Sequence, residues 1–279
     1  MAEIMPDATP IIVLPCIDNE PGLEVLRYLL RREKVRVPAV VVHPAHNMVC
    51  AEEIAALCGE HGVEMIDIQT ARAEFDAKIR PLAPDFVVSI YFDYILDARF
   101  LQVARRDSVN LHPGYLPYNK GFYYYAWAEL DGTPAGVSIH RMVSEVDAGP
   151  IISQSRVRVD KADTGVVIYD KHVRESIRLF QATWPSLEDQ SYHVFPQRHK
   201  GTFKKIAQAD AVRELDPEQR YTAREFVDLL RVFTFGERGG CTIELDGKRY
   251  SVAVSLNEVG EQAVVIPGTR EPLRTKTSR

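Results

Sequence analysis

Short, wholly apolar runs alternate with segments of helical period along the first half of this 279-residue chain, and that alternation leaves few folds open. Ile11–Leu14, closed by Pro15, reads as a buried strand. Leu23, Leu26 and Leu30 then recur at helical spacing in a helix predicted over Pro21–Arg32. Ala39–Val42 is a second apolar run, Ala51–Glu60 a second helix carrying Ile54 and Leu57, and Met65–Ile68 a third strand. Phe86–Ile90, behind the breaker Pro84, is the clearest strand in this half. Asp97 is placed to cap a helix running to Arg105 that buries Phe100, Leu101 and Ala104. Strands this apolar are covered on both faces, and strand–helix alternation predicts an α/β fold with a mostly parallel sheet.

Such sheets hold ligands at the carboxyl ends of their strands. The next predicted strand, Val109–Leu111, places Asn110 and His112 at that edge. Side chains alternate along a strand, so the two polar groups share one face. Burying them there is costly unless they reach a site, although His112 could equally be a hydrogen-bonded histidine at a strand end. Pro113 and Pro117 stiffen the segment that follows, and seven aromatics fall within the thirteen positions 115–127. A helix is expected near Phe122–Leu130, and strands at Val137–Met142 and Ile151–Val159 finish the sheet. Asp147 lies on the loop between those strands, where it could be no more than a turn residue.

Asp163 and Thr164 are placed to cap a long closing helix with Ile168, Val173, Ile177 and Phe180 on its apolar face. Tyr192–Lys205 lacks periodicity and reads as a connecting segment. A small α+β unit follows. Thr222 and Glu225 form a capping box, Tyr221 and Phe226 hold the staple positions, and the helix buries Phe226, Leu229, Leu230 and Phe233. Asp246-Gly247 between Cys241–Leu245 and Arg249–Val254 signals a closing β-hairpin. The division is therefore residues 1–200, a small unit over 201–256, and a flexible tail over 257–279.

The net charge of -5 argues against broad contact with nucleic acid. No apolar run approaches the roughly 18–20 residues that cross a bilayer, and the first residues lack a basic, apolar leader. The expectation is a cytoplasmic protein without membrane contact. The four cysteines and eight histidines show no metal-ligand spacing, so no metal is expected. No GxGxxG, no GxxxxGK[ST] and no G-x-S-x-G occurs, and LPCIDNEPG after the first strand lacks the close-packed glycines of a pyrophosphate loop.

Five elements in order carry a resemblance. They are Asn110-Leu111-His112-Pro113, Leu116-Pro117, Lys120-Gly121, Gly136-Val137-Ser138-Ile139-His140 and Asp147-Ala148-Gly149-Pro150-Ile151. The sequence resembles the formyltransferases that use 10-formyltetrahydrofolate, over roughly residues 10–200, and their sheet is of the Rossmann-like kind. The resemblance implies a metal-independent transfer. Asn110 is a donor to the oxyanion, His112 a proton carrier, and Asp147 the group that orients and charges the ring. It also implies folate contacts at Phe92, Tyr94, Ile95, Leu96 and Val143, beside Asp147. Three departures stand out. Gly114 replaces a frequent Ser, Lys120 a frequent Arg, and Phe122–Trp127 a stretch that often contains Pro.

Among branches of the family, the small second unit and the Leu116–Gly121 run are similar to enzymes that formylate nucleotide-linked amino sugars. A dTDP- or GDP-4-amino-4,6-dideoxyhexose in glycan or lipopolysaccharide biosynthesis is the implied acceptor. Tyr115, Tyr118, Asn119, Lys120, Gly121, Tyr124 and Trp127 are its expected contacts, and a homodimer the expected assembly. Glycinamide ribonucleotide, methionyl-tRNA and a catalytically silent folate or nucleotide binder remain as alternatives.

Overall fold

In the computed structural model, which describes residues 9–236 and 239–258, the first apolar run extends to Ile17 as β1 (Ile11–Ile17). Chain order continues with α1 (Glu20–Leu30), the short β2 (Val35–Arg36), β3 (Ala39–Val42), α2 (Ala51–His61) and β4 (Glu64–Asp67). Asp67 caps α3 (Ile68–Ala73) by accepting from the Gln69 and Thr70 N–H groups at 3.0 Å each. A π turn over Phe75–Ile79 leads to β5 (Phe86–Ile90), then α4 (Ala98–Val103), β6 (Asp107–His112) and the two-residue β7 (Lys120–Gly121). Next come α5 (Tyr124–Leu130), β8 (Gly136–Arg141), β9 (Ile151–Arg156) and the long α6 (Gly165–Glu188). The last elements are β10 (Phe203–Lys204), α7 (Ile206–Arg213), β11 (Glu214–Leu215), α8 (Ala223–Phe233), β12 (Cys241–Leu245) and β13 (Lys248–Val252).

The main sheet runs β4-β3-β1-β5-β6-β8-β9, with β2 against β1. Pairs from β4 to β6 are parallel, and β6–β8 and β8–β9 are antiparallel. This is the mixed, mostly parallel α/β sheet that the apolar runs predict. On one face α1, α2 and α6 close a core around Leu26, Leu29, Ile54, Phe180 and Trp184. Trp184 stacks on Phe180 and meets Phe86 edge-on, both at 5.6 Å, and burying each such ring contributes roughly 2–3 kcal/mol. On the other face Ile68, Phe75, Ile79 and Phe100 cover Leu14, Val41 and Val87.

Some expectations shift in detail. Leu29, not Leu30, completes the buried stripe of α1, because Leu23, Leu26 and Leu29 keep the i, i+3 spacing on a straight turn. Thr164 stands at the cap of α6 without a side-chain cap bond, and Asp163 instead takes the Asp160 N–H at 2.7 Å and Lys171 Nζ at 2.5 Å. The Thr222–Glu225 capping box is present, with Tyr221 and Phe226 rings 5.6 Å apart at its staple. Arg231 of α8 is fully buried and binds Glu129, Asp228 and the Asp163 carbonyl, tying α8 to α5 and to the start of α6.

The segment expected as a plain connection does more. Its β10 pairs with β7, giving Lys120 N–H to Thr202 O at 3.0 Å and Phe122 N–H to Lys204 O at 3.1 Å. Among the described residues no helix is long and apolar enough to cross a membrane. Residues 259–279, most of the expected flexible tail, lie outside the described residues.

Candidate active site

The parallel strands change direction of travel at β1 and β5, so a crevice opens where the loops after these strands part. A cavity of about 440 Å³ lies there, reached by β6 and β8 from the side. Its wall includes Asn19 after β1, Tyr91–Leu96 after β5, Asn110 and His112 of β6, His140 of β8, and Val143 and Asp147 from the loop beyond.

Antiparallel register places Asn110 opposite His140 and His112 opposite Ser138. The loop from Met142 then folds back and brings the Asp147 carboxylate against all three polar groups. Its Oδ1 lies 3.5 Å from His112 Nδ1, 3.5 Å from His140 Nε2 and 3.4 Å from Asn110 Nδ2. Its Oδ2 accepts the Gly121 N–H at 3.1 Å, so β7 holds the carboxylate from the far side. Asp147 itself sits at φ 54°, a left-handed conformation that Asp tolerates better than most residues. Gln197 Nε2 donates to the Asp147 and Gly149 carbonyls, each at 2.8 Å, and anchors this turn to the segment before β10.

The electrostatics follow from the burial. Desolvation works against the Asp147 charge, yet the His112 and His140 rings and the Gly121 N–H outweigh it. They hold the carboxyl well below the usual carboxylate range. Burial pushes the His112 imidazole below its ordinary value, and the Asp147 charge offsets this only in part. At neutral pH the pair is therefore a carboxylate beside a neutral ring. His112 Nε2 lies 3.0 Å from the Asn119 carbonyl, which can only accept, so Nε2 carries the hydrogen and Nδ1 faces Asp147 open. His140 is fixed in the same way, its Nδ1 donating to the Arg141 carbonyl at 2.8 Å and its Nε2 accepting from Asn110 Nδ2 at 3.1 Å.

The profile of a family described as formyl transferase matches residues 27–183. The chain belongs to the formyl transferase family. Residues 208–258 match a second profile, an N-formyltransferase dimerization C-terminal domain. A dTDP-4-amino-4,6-dideoxyglucose formyltransferase of Mycobacterium tuberculosis is 27% identical over 173 residues, 62% of this chain and 73% of that one. The fold matches a 4-N formyltransferase of Francisella tularensis with a TM-score of 0.77 at 21% identity, over 89% of this chain and 99% of that one. A sugar N-formyltransferase of Shewanella gives 0.75 at 21%, over 90% and 99%.

Within this family member, Asn110, His112 and Asp147 meet, and Phe92, Tyr94, Ile95, Leu96, Val143, Gly121 and Tyr124 line the same cavity. Tyr115, Tyr118, Asn119, Lys120 and Trp127 stand outside its lining. Tyr115 lies under the Arg156 guanidinium, 4.3 Å from ring centre, and Tyr118 against His199 at 5.2 Å. Asn119 is buried and spends its side chain on Pro134 O and the Thr133 hydroxyl, Lys120 is buried at β7, and Trp127 packs in the core beneath Lys204. Among the wall residues missed in the sequence are Asn19, Tyr91 and His140. Of these three only His140 carried a signal, as the last residue of the Gly136–His140 motif, on the same strand face as Ser138. Among the described residues no group of three or more His, Cys, Asp or Glu side chains could hold a metal ion.

Proposed function

We propose that the chain transfers the formyl group of 10-formyltetrahydrofolate to the primary amine of a nucleotide-linked amino sugar, such as a dTDP- or GDP-4-amino-4,6-dideoxyhexose. The observation that carries this reading is the meeting of Asn110, His112 and His140 on one buried Asp147 carboxylate beside an apolar cavity mouth. Support for the acceptor class comes from the relatives, one named for a dTDP-linked amino sugar and another as a sugar N-formyltransferase.

The folate suits these walls. Phe92, Tyr94, Leu96 and Val143 offer an apolar rim, and Ile95 is left 66% exposed on it, a surface a flat heteroaromatic ring would cover. Bound there, 10-formyltetrahydrofolate supplies the electrophilic formyl carbon. Asn110 has one amide hydrogen on His140 and the other only loosely toward Asp147 at 3.4 Å, so the second can turn to negative charge on the formyl oxygen. His112 Nδ1, unprotonated at neutral pH, takes the proton that the attacking amine must lose. The Asp147 carboxylate and the Asn119 carbonyl then stabilise the imidazolium until it returns the proton to the departing nitrogen. The sequence of steps calls for no metal.

Residues 1–200 act in this reading as the catalytic domain and 201–256 as the assembly unit of a homodimer. The apolar Phe226, Leu245 and Tyr250, each more than a third exposed, are candidates for its interface. Sedimentation of the purified chain at the monomer mass at micromolar concentration would refute the dimer.

The deciding experiment is a formyl-transfer assay with 10-formyltetrahydrofolate against a panel of nucleotide-linked amino sugars, with glycinamide ribonucleotide and charged initiator tRNA as controls. Turnover of an amino sugar, lost by at least about a thousandfold in His112→Asn, is the expected result. Turnover of a control alone overturns the acceptor class.

A further inference from the structure

Asn19 occupies the N-cap of α1, where asparagine is favoured because its side chain takes the N–H groups of the first turn. It does not do so here. The second helical residue is Pro21, which has no N–H, and the Asn19 side chain makes no cap bond at all. Instead Nδ2 donates to the Tyr91 carbonyl at 3.3 Å, and this leaves Oδ1 buried with no partner.

Across the same crevice, Tyr124 opens α5. Its ring is held by Tyr91 at 6.2 Å, Tyr125 at 5.5 Å and His172 at 5.2 Å between centroids, so the hydroxyl has little freedom to seek a partner. The Tyr91 hydroxyl shares a bond with Ser176 Oγ at 2.9 Å, in which either oxygen can donate, and the buried Tyr124 hydroxyl beside it interacts with Tyr91 but has no partner at full hydrogen-bond geometry. Four buried side-chain polar atoms are unpaired among the described residues, and of the four residues only Asn19 and Tyr124 line the cavity. Buried polar atoms are almost always satisfied, so two left without a full bond around one cavity mark where a ligand completes them.

The chemistry of the two atoms narrows that ligand. Asn19 Oδ1 can only accept, and the Tyr124 hydroxyl can both donate and accept. Neighbouring O–H and N–H groups on a sugar ring answer both. We propose that Asn19 and Tyr124 read the ring hydroxyl beside the acceptor amine and so set which amino sugar is accepted. The proposal rests on the reading of the chain as a sugar N-formyltransferase and adds the specificity-determining pair. A site built around a substrate hydroxyl rejects the analogue without it, because its own polar atoms are then sealed away unpaired.

The test uses the full-length enzyme, an amino sugar it accepts, and the analogue lacking the hydroxyl next to the amine. Tyr124→Phe is expected to lower kcat/KM on the hydroxylated acceptor by about 10–100-fold and to leave the analogue unchanged, so that discrimination collapses. Asn19→Leu should give the same pattern. Affinity for the non-transferable 5-formyltetrahydrofolate should stay within about twofold in both. Thermal stability of Tyr124→Phe should hold or rise, since a buried unpaired hydroxyl has been removed, whereas a hydroxyl with a structural role would lower it. Equal losses on both acceptors, or weakened folate binding in place of lost discrimination, overturn the proposal. A wild-type enzyme that formylates no amino sugar overturns the underlying reading first and is told apart by that result alone.

Discussion

Across the β6–β8 pair, Asn110 gives an amide hydrogen to Nε2 of His140 at 3.1 Å, and His140 can receive it because its Nδ1 hydrogen is already committed to the Arg141 carbonyl. The amide proposed to face the oxyanion is thus aimed by a neighbour that need not touch substrate. His140→Leu removes the acceptor and should lower kcat by about 10–100-fold with KM little changed, part of the loss seen when an oxyanion donor is deleted outright. His140→Gln, which keeps an acceptor, should recover some of that loss. Steady-state kinetics on both variants check it, and a change confined to KM would contradict the positioning role.

His112 is pushed below its ordinary pKa by burial, with Asp147 pulling the other way. Catalysis as proposed needs the neutral ring, so kcat/KM should rise with pH through a midpoint below about 6.5 and then level. Removing the Asp147 charge takes away what raises the His112 value. In Asp147→Asn the residual activity should therefore show its acid limb at still lower pH. Ring-proton NMR of His112 across the same range gives the value independently of rate.

Gly114 lies against the His112 ring, the proton carrier in the proposed function. A Cβ there would stand 2.5 Å from His112 Nε2 and 2.7 Å from the Asn119 carbonyl, the two ends of the bond that fixes the ring. Gly114→Ala should cut kcat by at least about tenfold and cost about 1–3 kcal/mol, as overpacking does. Chemical denaturation alongside kinetics tests both, and an unaffected enzyme would mean the loop yields freely.

Buried His172 donates from Nδ1 to the Ile168 carbonyl at 2.8 Å, and burial lowers its pKa to about 4. The unfolded chain protonates this residue near its ordinary 6.5 and the folded chain only near 4, so the unfolded state binds more protons in between. Stability should fall as pH drops through that window, by about 3 kcal/mol from this residue alone at roughly 1.4 kcal/mol per unit. Urea melts from pH 7 to 4.5 should be steeper in their pH dependence for the wild type than for His172→Leu.

Arg231 is fully buried between Glu129 and Asp228. Arg231→Met leaves two carboxylates facing each other without their cation and should destabilise by about 3 kcal/mol, since breaking a buried pair costs more than the pair contributes. Calorimetry of the variant would show a lowered Tm, and restoring it with Glu129→Gln would locate the cause.

What could be read in the sequence was set by range. Ala39–Val42 and Phe86–Ile90 match β3 and β5 residue for residue, because a doubly buried strand must be apolar throughout. The capping box at Thr222 and Glu225 is a three-residue signal and is likewise present. The Asp147 loop reached Asn110 and His112 as the motif order implied, but the aim of His140 depends on strand register, which no short window carries. Asn19 was hidden for a different reason. It looks like an ordinary cap, and only the direction of its side chain, turned to Tyr91 at a separation of 72 positions along the chain, separates the two roles. The β7–β10 contact, two residues long and without periodicity, had no pattern to find.

That small contact has a consequence for how the molecule comes into being. Every strand of the main sheet and every member of the Asn110–His112–Asp147 cluster is synthesised before residue 157. Yet the bonds that seat Lys120 and Phe122, and through Gly121 the N–H on Asp147, come from Thr202 and Lys204. A growing chain can therefore carry a finished sheet while the Asp147 cluster still lacks its far-side support, and under the proposed function chemistry would wait until the strap at residues 202–204 has emerged and docked.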